Sequence, residues 1–325
     1  MARTTDHRFV LVTRHTRLEE LVARFNTQSQ ARFYVEHLGA DFADYEREHE
    51  TYLAAVQVAR EILSGHGRLH VLDRSFLPNY VFAPDDHVAA IGQDGLVANT
   101  LKYIGKRPLV GINPDPARWD GVLVPTQVGE LERVLGAWLD GSASIRAITF
   151  ARAVLNTGQS LLAVNDLFIG ARTHISARYQ ITSGAKSESQ SSSGIIVSTG
   201  LGSTGWLKSI RHGAAVIAGQ PDRPGPLSWD TKQLVFSVRE PFPSRSTQAG
   251  IVSGHASGKL PLVVTSAMAE HGVIFSDGME SDFLSFNSGV TATITPLPEA
   301  GWLVVKNPPK LPPALPKQRK NARDS

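Results

Sequence analysis

Three short segments carry the residue types that could do chemistry. Gly92-Gln93-Asp94-Gly95 follows the apolar run His87 to Ile91 and precedes a helical run from Leu96 to Ile104. Asp94 therefore falls near the carboxyl end of a strand, where open α/β sheets place their ligands. A carboxylate there can take a proton or orient a hydroxyl, and it can equally serve as a turn acid or helix cap. Asn165-Asp166 interrupts the apolar run Leu161 to Ile169. Within a strand the two side chains would alternate between faces, and buried polar groups need hydrogen-bond partners. A ligand hydroxyl pair, a loop backbone or a bulge must supply them. Gly200-Leu-Gly-Ser-Thr-Gly-Trp206 follows the strand-like Ile195 to Thr199 and opens a helical stretch from Ser203 to about Ala218. The N–H groups of such a turn at a helix N-terminus can face phosphate oxygens; Ser203 or Thr204 capping an ordinary tight turn is the plain alternative. The spacing is formally G-x-G-x-x-G, with Asp222 available as a ribose-binding acid. That fingerprint needs a surrounding βαβαβ half, and the flanking segments look like antiparallel strands.

Other signatures are missing. The chain has no G-x-x-x-x-G-K-[ST], no H-E-x-x-H, no G-x-S-x-G and no EF-hand loop. With no cysteine, a thiolate nucleophile, iron–sulfur ligation, a disulfide framework and cysteine zinc sites are all excluded. His66 and His70 straddle Gly67 at an expected helix end, which suits solvated loop histidines.

The elements that must position the three segments change in texture along the chain. Phe9 to Val12 is strand-like, and Leu18, Leu21, Val22 and Phe25 recur at helical intervals. A helix over Phe42 to Leu63 is closed by Ser64-Gly65-His66-Gly67, and strands follow at Arg68 to Asp73, His87 to Ile91 and Leu109 to Ile112. This alternation predicts a parallel α/β layer. Beyond about Leu139 the apolar runs are short and separated by turn residues, among them Ile145 to Phe150, Leu161 to Ile169, Ile175 to Thr182, Val290 to Ile294 and Trp302 to Val305. That half predicts a β-rich domain. The expected division is an α/β domain over 1–140, a β-rich domain over 141–306 and a basic, proline-rich, disordered tail over 307–325.

At 325 residues, with 42% hydrophobic and 19% charged, the chain can bury a sizeable core. The net charge is +3, yet the tail carries Lys310, Lys317, Arg319, Lys320 and Arg323 against Asp324, which leaves the body near −1. A basic excess confined to such a tail argues against nucleic-acid binding. No apolar run approaches a membrane span or a signal-peptide core, so a cytoplasmic location is expected.

In this order, Gly92-Gln-Asp-Gly95, Asn165-Asp166 and Thr199-Gly-Leu-Gly-Ser-Thr-Gly-Trp206 resemble the NAD kinase family, whose members carry a Gly-Gly-Asp-Gly turn, an Asn-Glu pair and a Thr-x-x-Gly-Ser-x-Ala-Tyr-like segment. The sequence is most similar to the mitochondrial-type branch, through Val110-Gly-Ile-Asn-Pro-Asp-Pro116, Asn165-Asp-Leu-Phe-Ile-Gly170, Ser192-Ser-Gly194, Phe236-Ser-Val-Arg-Glu-Pro241, and Asp277-Gly278 leading to Phe283 and Phe286. The likeness runs from about Val10 to Ile294. It implies an N-terminal α/β domain and a C-terminal β-rich domain with the site between them, in a homodimer or higher oligomer. The implied reaction is phosphorylation of the adenosine-ribose 2′-hydroxyl of NAD by ATP with Mg2+ or another divalent metal, giving NADP.

By position the resemblance makes Asp94 the catalytic base. Gly95, Asn165, Asp166, Thr204, Gly205 and Trp206 would bind NAD, and Arg14, Gly92, Thr199, Gly200 and Gly202 would meet ATP or its phosphates. No residue is matched to a metal site, and neither membrane nor nucleic acid is an expected partner. Three positions depart from the pattern: Gln93 replaces a glycine, Leu96 a common threonine, and Asp166 a glutamate. A positive φ at Gln93 would cost about 1–2 kcal/mol. The alternatives are a non-catalytic NAD(P)-binding protein and a kinase of the same superfamily acting on a lipid or sugar hydroxyl.

Overall fold

The computed structural model describes residues 7–221 and 225–305; Asp222 and the basic tail over 307–325 lie outside the described residues. The first half runs β1 (Arg8–Thr13), α1 (Arg17–Phe25), α2 (Gln28–His37), α3 (Phe42–His66), β2 (Arg68–Asp73), β3 (Asp86–Ile91), α4 (Asp94–Leu101), β4 (Pro108–Asn113), β5 (Thr126–Gln127) and α5 (Leu131–Leu139). The second half runs β6 (Ser144–Leu155), β7 (Ser160–Ala163), β8 (Asp166–Ala171), β9 (Ala177–Ser183), β10 (Lys186–Ser192), β11 (Ile195–Ser198), α6 (Trp206–Ile217), β12 (Gln233–Val238), β13 (Ser253–Ser257), β14 (Leu262–Ser266), β15 (Gly272–Ser276), β16 (Met279–Ser285) and β17 (Thr291–Val305).

Strands β2, β1, β3 and β4 pair in parallel, in that order. Strands β1, β3 and β4 are buried on both faces, which explains their unbroken apolar runs, whereas edge strand β2 is largely exposed. Val10, Val12, Val88 and Ala90 face α4, while Phe9, Leu11, Ala89 and Ile91 face α3 and α5. This is the α/β layer that the alternation predicts.

In the second half, β8, β11, β12, β13, β15 and β16 form a six-stranded antiparallel sheet. Its inner face packs on β6, β7, β9, β14 and β17 through Leu167, Ile169, Ile195, Phe236, Tyr179, Ile181 and Ile294. The 15-residue β17 joins the two halves. Its first part pairs antiparallel with β14 and β6, and Trp302 to Val304 then lie parallel to Pro108 to Val110 of β4.

Several expectations need correction. The helix over Phe42 does not stop at Leu63 but continues through Ser64 and Gly65 to His66. The run Leu161 to Ile169 is not one strand: the chain leaves one sheet at Ala163 and enters the other at Asp166. Val290 to Ile294 and Trp302 to Val305 belong to one strand, interrupted by a register shift between Leu297 and Gly301. As the antiparallel look of the flanking segments predicts, strand β11 is antiparallel to both neighbours, and the glycine-rich turn after it is not part of a Rossmann unit. Among the described residues no helix is long and apolar enough to cross a membrane.

Candidate active site

Asp94 opens α4 at the carboxyl end of β3. Gln93 precedes it with φ −97° and ψ 166°, extended backbone open to any residue, so the missing glycine causes no strain. The Asp94 carboxylate accepts hydrogen bonds from the N–H groups of Leu123 at 2.9 Å and Val122 at 3.1 Å. These amides belong to the loop after β4, whose shape is set by Asn113. The Asn113 side chain donates to Trp119 O at 2.9 Å and accepts from Asp115 N at 3.0 Å. Gly121, at φ +67°, passes so close that a Cβ would lie 2.7 Å from Asn113 Nδ2. Arg118 ties the loop to Asp44 of α3 at 3.1 Å, and Arg17 binds the same carboxylate at 2.7 Å. Hydrogen bonds from Arg118 and Arg17 hold the Asp44 carboxyl well below the usual carboxylate range.

The opposing wall is the crossing between β7 and β8. Asp277, in the tight turn after β15, accepts from the N–H groups of Asn165 at 2.7 Å, Val164 at 3.1 Å and Asp166 at 3.3 Å. Asn165 is half-buried at the crossing. The Asp166 side chain is buried, with 9% of the residue exposed, and its Oδ1 has no hydrogen-bond partner. Burial pushes the Asp166 carboxyl up to about 7; nearby Asp277 raises it further, against a hydrogen bond from the Ser198 hydroxyl.

The glycine-rich segment completes this wall. Thr199 is buried, donates to Val164 O at 2.6 Å and accepts from Gly202 N at 3.1 Å. A Cβ on Gly200 would stand 1.9 Å from Ser228 O, and one on Gly202 would stand 2.2 Å from Asn165 O. These glycines let backbone pass against backbone. Thr204 and Gly205 are exposed toward the cleft.

Together these elements enclose a cleft of about 490 Å³. Of the residues picked out from the sequence, Asp94, Gly95, Asn165, Asp166, Gly202, Thr204 and Gly205 line it. Gly95 has open space where a side chain would project. Gly92, Thr199 and Gly200 are buried behind the lining. Trp206 stacks on Phe168, with ring centroids 5.9 Å apart and planes within 5°, and faces an adjoining cavity of about 370 Å³. Arg14 also lies off the cleft: it pairs with buried Glu48 at 2.6 Å beside the Tyr52 ring, and it lines a separate cavity of about 790 Å³.

Sequence reasoning missed Asp120, Val122 and Leu123 on the first wall and the grip of Asp277 behind the second. Asn113-Pro-Asp-Pro116 and Asp277-Gly278 were visible as strings, but backbone N–H donors leave no mark in side-chain identity. Among the described residues no three His, Asp or Glu side chains converge as a metal cluster.

No protein-family model matches the sequence, and no curated protein matches it. Solved structures do. An NAD kinase from Archaeoglobus fulgidus in complex with ATP is 16% identical, with a TM-score of 0.56 over 91% of this chain and 93% of that one. Yeast NADH kinase complexed with NADH is 13% identical, with a TM-score of 0.56 over 93% of this chain and 84% of that one. With an α/β layer, a β-rich sheet region and a cleft between them, the chain has the two-domain fold of the NAD kinases.

Proposed function

We propose that the protein transfers the γ-phosphoryl group of ATP to the 2′-hydroxyl of the adenosine ribose of NAD, giving NADP. The observation that supports this most is one cleft that gathers Asp94, Asn165, Asp166, Thr204 and Gly205 from distant parts of the chain, in a fold shared with an ATP-bound NAD kinase and an NADH-bound NADH kinase. In this reaction the ribose oxygen attacks the γ-phosphorus, the bridging oxygen leaves with ADP, and the hydroxyl proton passes to a base. Asp94 is that base, and the amides of Val122 and Leu123 fix the plane of its carboxylate. The unpartnered Oδ1 of Asp166 is an acceptor for an N–H or O–H of the bound dinucleotide. The space beside Gly95 admits the ligand against the α4 N-terminus.

A divalent metal fits this donor set. Mg2+ commonly takes one or two protein carboxylates together with phosphate oxygens, and the exposed carboxylate of Asp120 on the cleft wall suits that mode. Such an ion would neutralise charge on the transferring group.

The test is NADP formation from NAD and Mg-ATP by the purified protein, with NADH, GTP and polyphosphate as alternate substrates. Asp94→Asn is expected to lower kcat by about 10²–10⁴-fold. NAD binding without turnover by any donor would overturn the kinase reading, and an Asp94→Asn variant with undiminished activity would overturn the assignment of Asp94 as the base.

A further inference from the structure

Behind the cleft, a buried ion pair ties its two walls together. Lys102 follows α4, the helix that begins with Asp94. Its ammonium lies 2.9 Å from Asp277 and 3.1 Å from Asp282, and donates to Ser276 Oγ at 2.5 Å. The side chains of Lys102 and Asp277 are only 4% and 3% exposed. Asp277 has φ +55°, a left-handed conformation that Asp tolerates better than most residues. This bend lets its carboxylate reach the three amides of Val164 to Asp166, while its own N–H donates to Asp166 O at 2.9 Å.

We propose that Lys102 and Asp277 are positioning residues for phosphoryl transfer: through their contact, α4 and therefore Asp94 are set at one spacing from the Asn165–Asp166 backbone. Neither side chain lines the cleft. Stability alone does not explain the pair, because buried ion pairs are often matched or bettered by apolar residues of similar volume. Directional bonds to named amides do what an apolar contact cannot, which is to fix register. The lever is short and stiff: α4 has eight residues, spanning about 12 Å, with Lys102 just past one end and Asp94 at the other. A shift of about 1 Å between base and acceptor can cost about 10²-fold in rate.

The proposal rests on the kinase reading, and its test separates the two. Lys102→Met, Lys102→Arg and Asp277→Asn are compared with wild type for kcat, KM for NAD, NAD affinity by calorimetry, and thermal midpoint. Lys102→Met is expected to lower kcat about 10–100-fold with KM for NAD changed less than about threefold, because base placement is disturbed and the dinucleotide contacts are not. Lys102→Arg should restore kcat to within about fivefold. Asp277→Asn, which loosens the amides of Asn165 and Asp166, should weaken NAD binding about tenfold. A folded Lys102→Met variant with wild-type kcat overturns the proposal, as does a loss that Lys102→Arg does not recover. If the wild-type protein binds NAD but never turns over, the kinase reading has failed; unchanged NAD affinity in Asp277→Asn would then overturn the pair as well.

Discussion

Replacing Asp166 with asparagine should stabilise the protein at pH 8, stabilise it less than half as much at pH 5, and weaken NAD binding. The carboxyl is buried with one oxygen unpartnered, and it titrates at about 7 against an ordinary value of 3.8. A raised value means that the folded state binds the proton more tightly than the unfolded chain does. The penalty for ionising Asp166 is therefore absent below about pH 4, grows through about pH 7 and is complete above it. Each pH unit between the two values corresponds to 1.36 kcal/mol, so the ceiling is about 4 kcal/mol. Asparagine has nearly the same shape and no charge, and relaxation of the surroundings will take up part of the penalty, so about 2 kcal/mol is the expected gain at pH 8. Urea unfolding of both proteins at pH 5 and pH 8 reads this directly. A gain of equal size at both pH values would refute the argument, and so would a loss at pH 8. Calorimetry on the same samples should show NAD affinity reduced about tenfold, since a hydrogen bond to a charged acceptor contributes about 1.5–3 kcal/mol. A group that costs stability and supports binding is kept for its ligand.

Gly95→Ala and Gly202→Ala should differ sharply. The first places a methyl in open space within α4, so stability should hold or rise by about 0.5–1 kcal/mol while NADP formation falls; the second forces a Cβ to 2.2 Å from the Asn165 carbonyl, and a large drop in thermal midpoint is expected. Gln93→Gly should leave kcat within about twofold and lower stability by about 0.5–1 kcal/mol, because φ is −97° and glycine adds only unfolded-state freedom. Arg118→Ala should free the loop that holds Asp94 and lower kcat/KM about tenfold. Because Asp44 is held below its ordinary 3.8, that pairing contributes stability above this value and loses it as pH falls below, so urea midpoints of wild type and Arg118→Ala should converge from pH 6 to pH 3.

The elements most legible in the sequence are those whose hydrophobic pattern is decided by burial. Strands β1, β3 and β4 were visible because the parallel sheet covers them on both faces and leaves uninterrupted apolar runs, whereas edge strand β2 is mostly exposed and shows only a mixed pattern. Helix α2 was not, since Ala31 and Val35 are its buried residues while Phe33 and Tyr34 are exposed, which blurs the helical period. Strand β10, Lys-Ser-Glu-Ser-Gln-Ser-Ser, has no apolar residue at all. Its buried Gln190 and Ser192 are satisfied by the Tyr179 hydroxyl, with Gln190 also donating to Ile251 O at 3.0 Å, so a polar network replaces the expected alternation. In β17, Pro296, Pro298 and the shift before Gly301 break the pattern that would have marked one strand.

The cleft was legible as an order of motifs and only partly as a set of roles. Gly95, Gly200 and Gly202 are indistinguishable by residue type, yet the structure places them differently: Gly95 faces open space in the cleft, Gly200 makes room for the Ser228 carbonyl, and Gly202 lines the cleft while passing the Asn165 carbonyl. A glycine reports that a Cβ is unwelcome without saying whether ligand or protein excludes it. Asp94 and Asp277 pose the same problem with the opposite outcome. Both are aspartates followed by glycine, and both accept from backbone amides, but Asp94 does so at the cleft and Asp277 behind it. What separates them is burial and the presence of Lys102, properties of contacts made across 94 to 277. Which carboxylate is left facing the cleft once the backbone has taken its share is therefore settled only by the packing of the two halves.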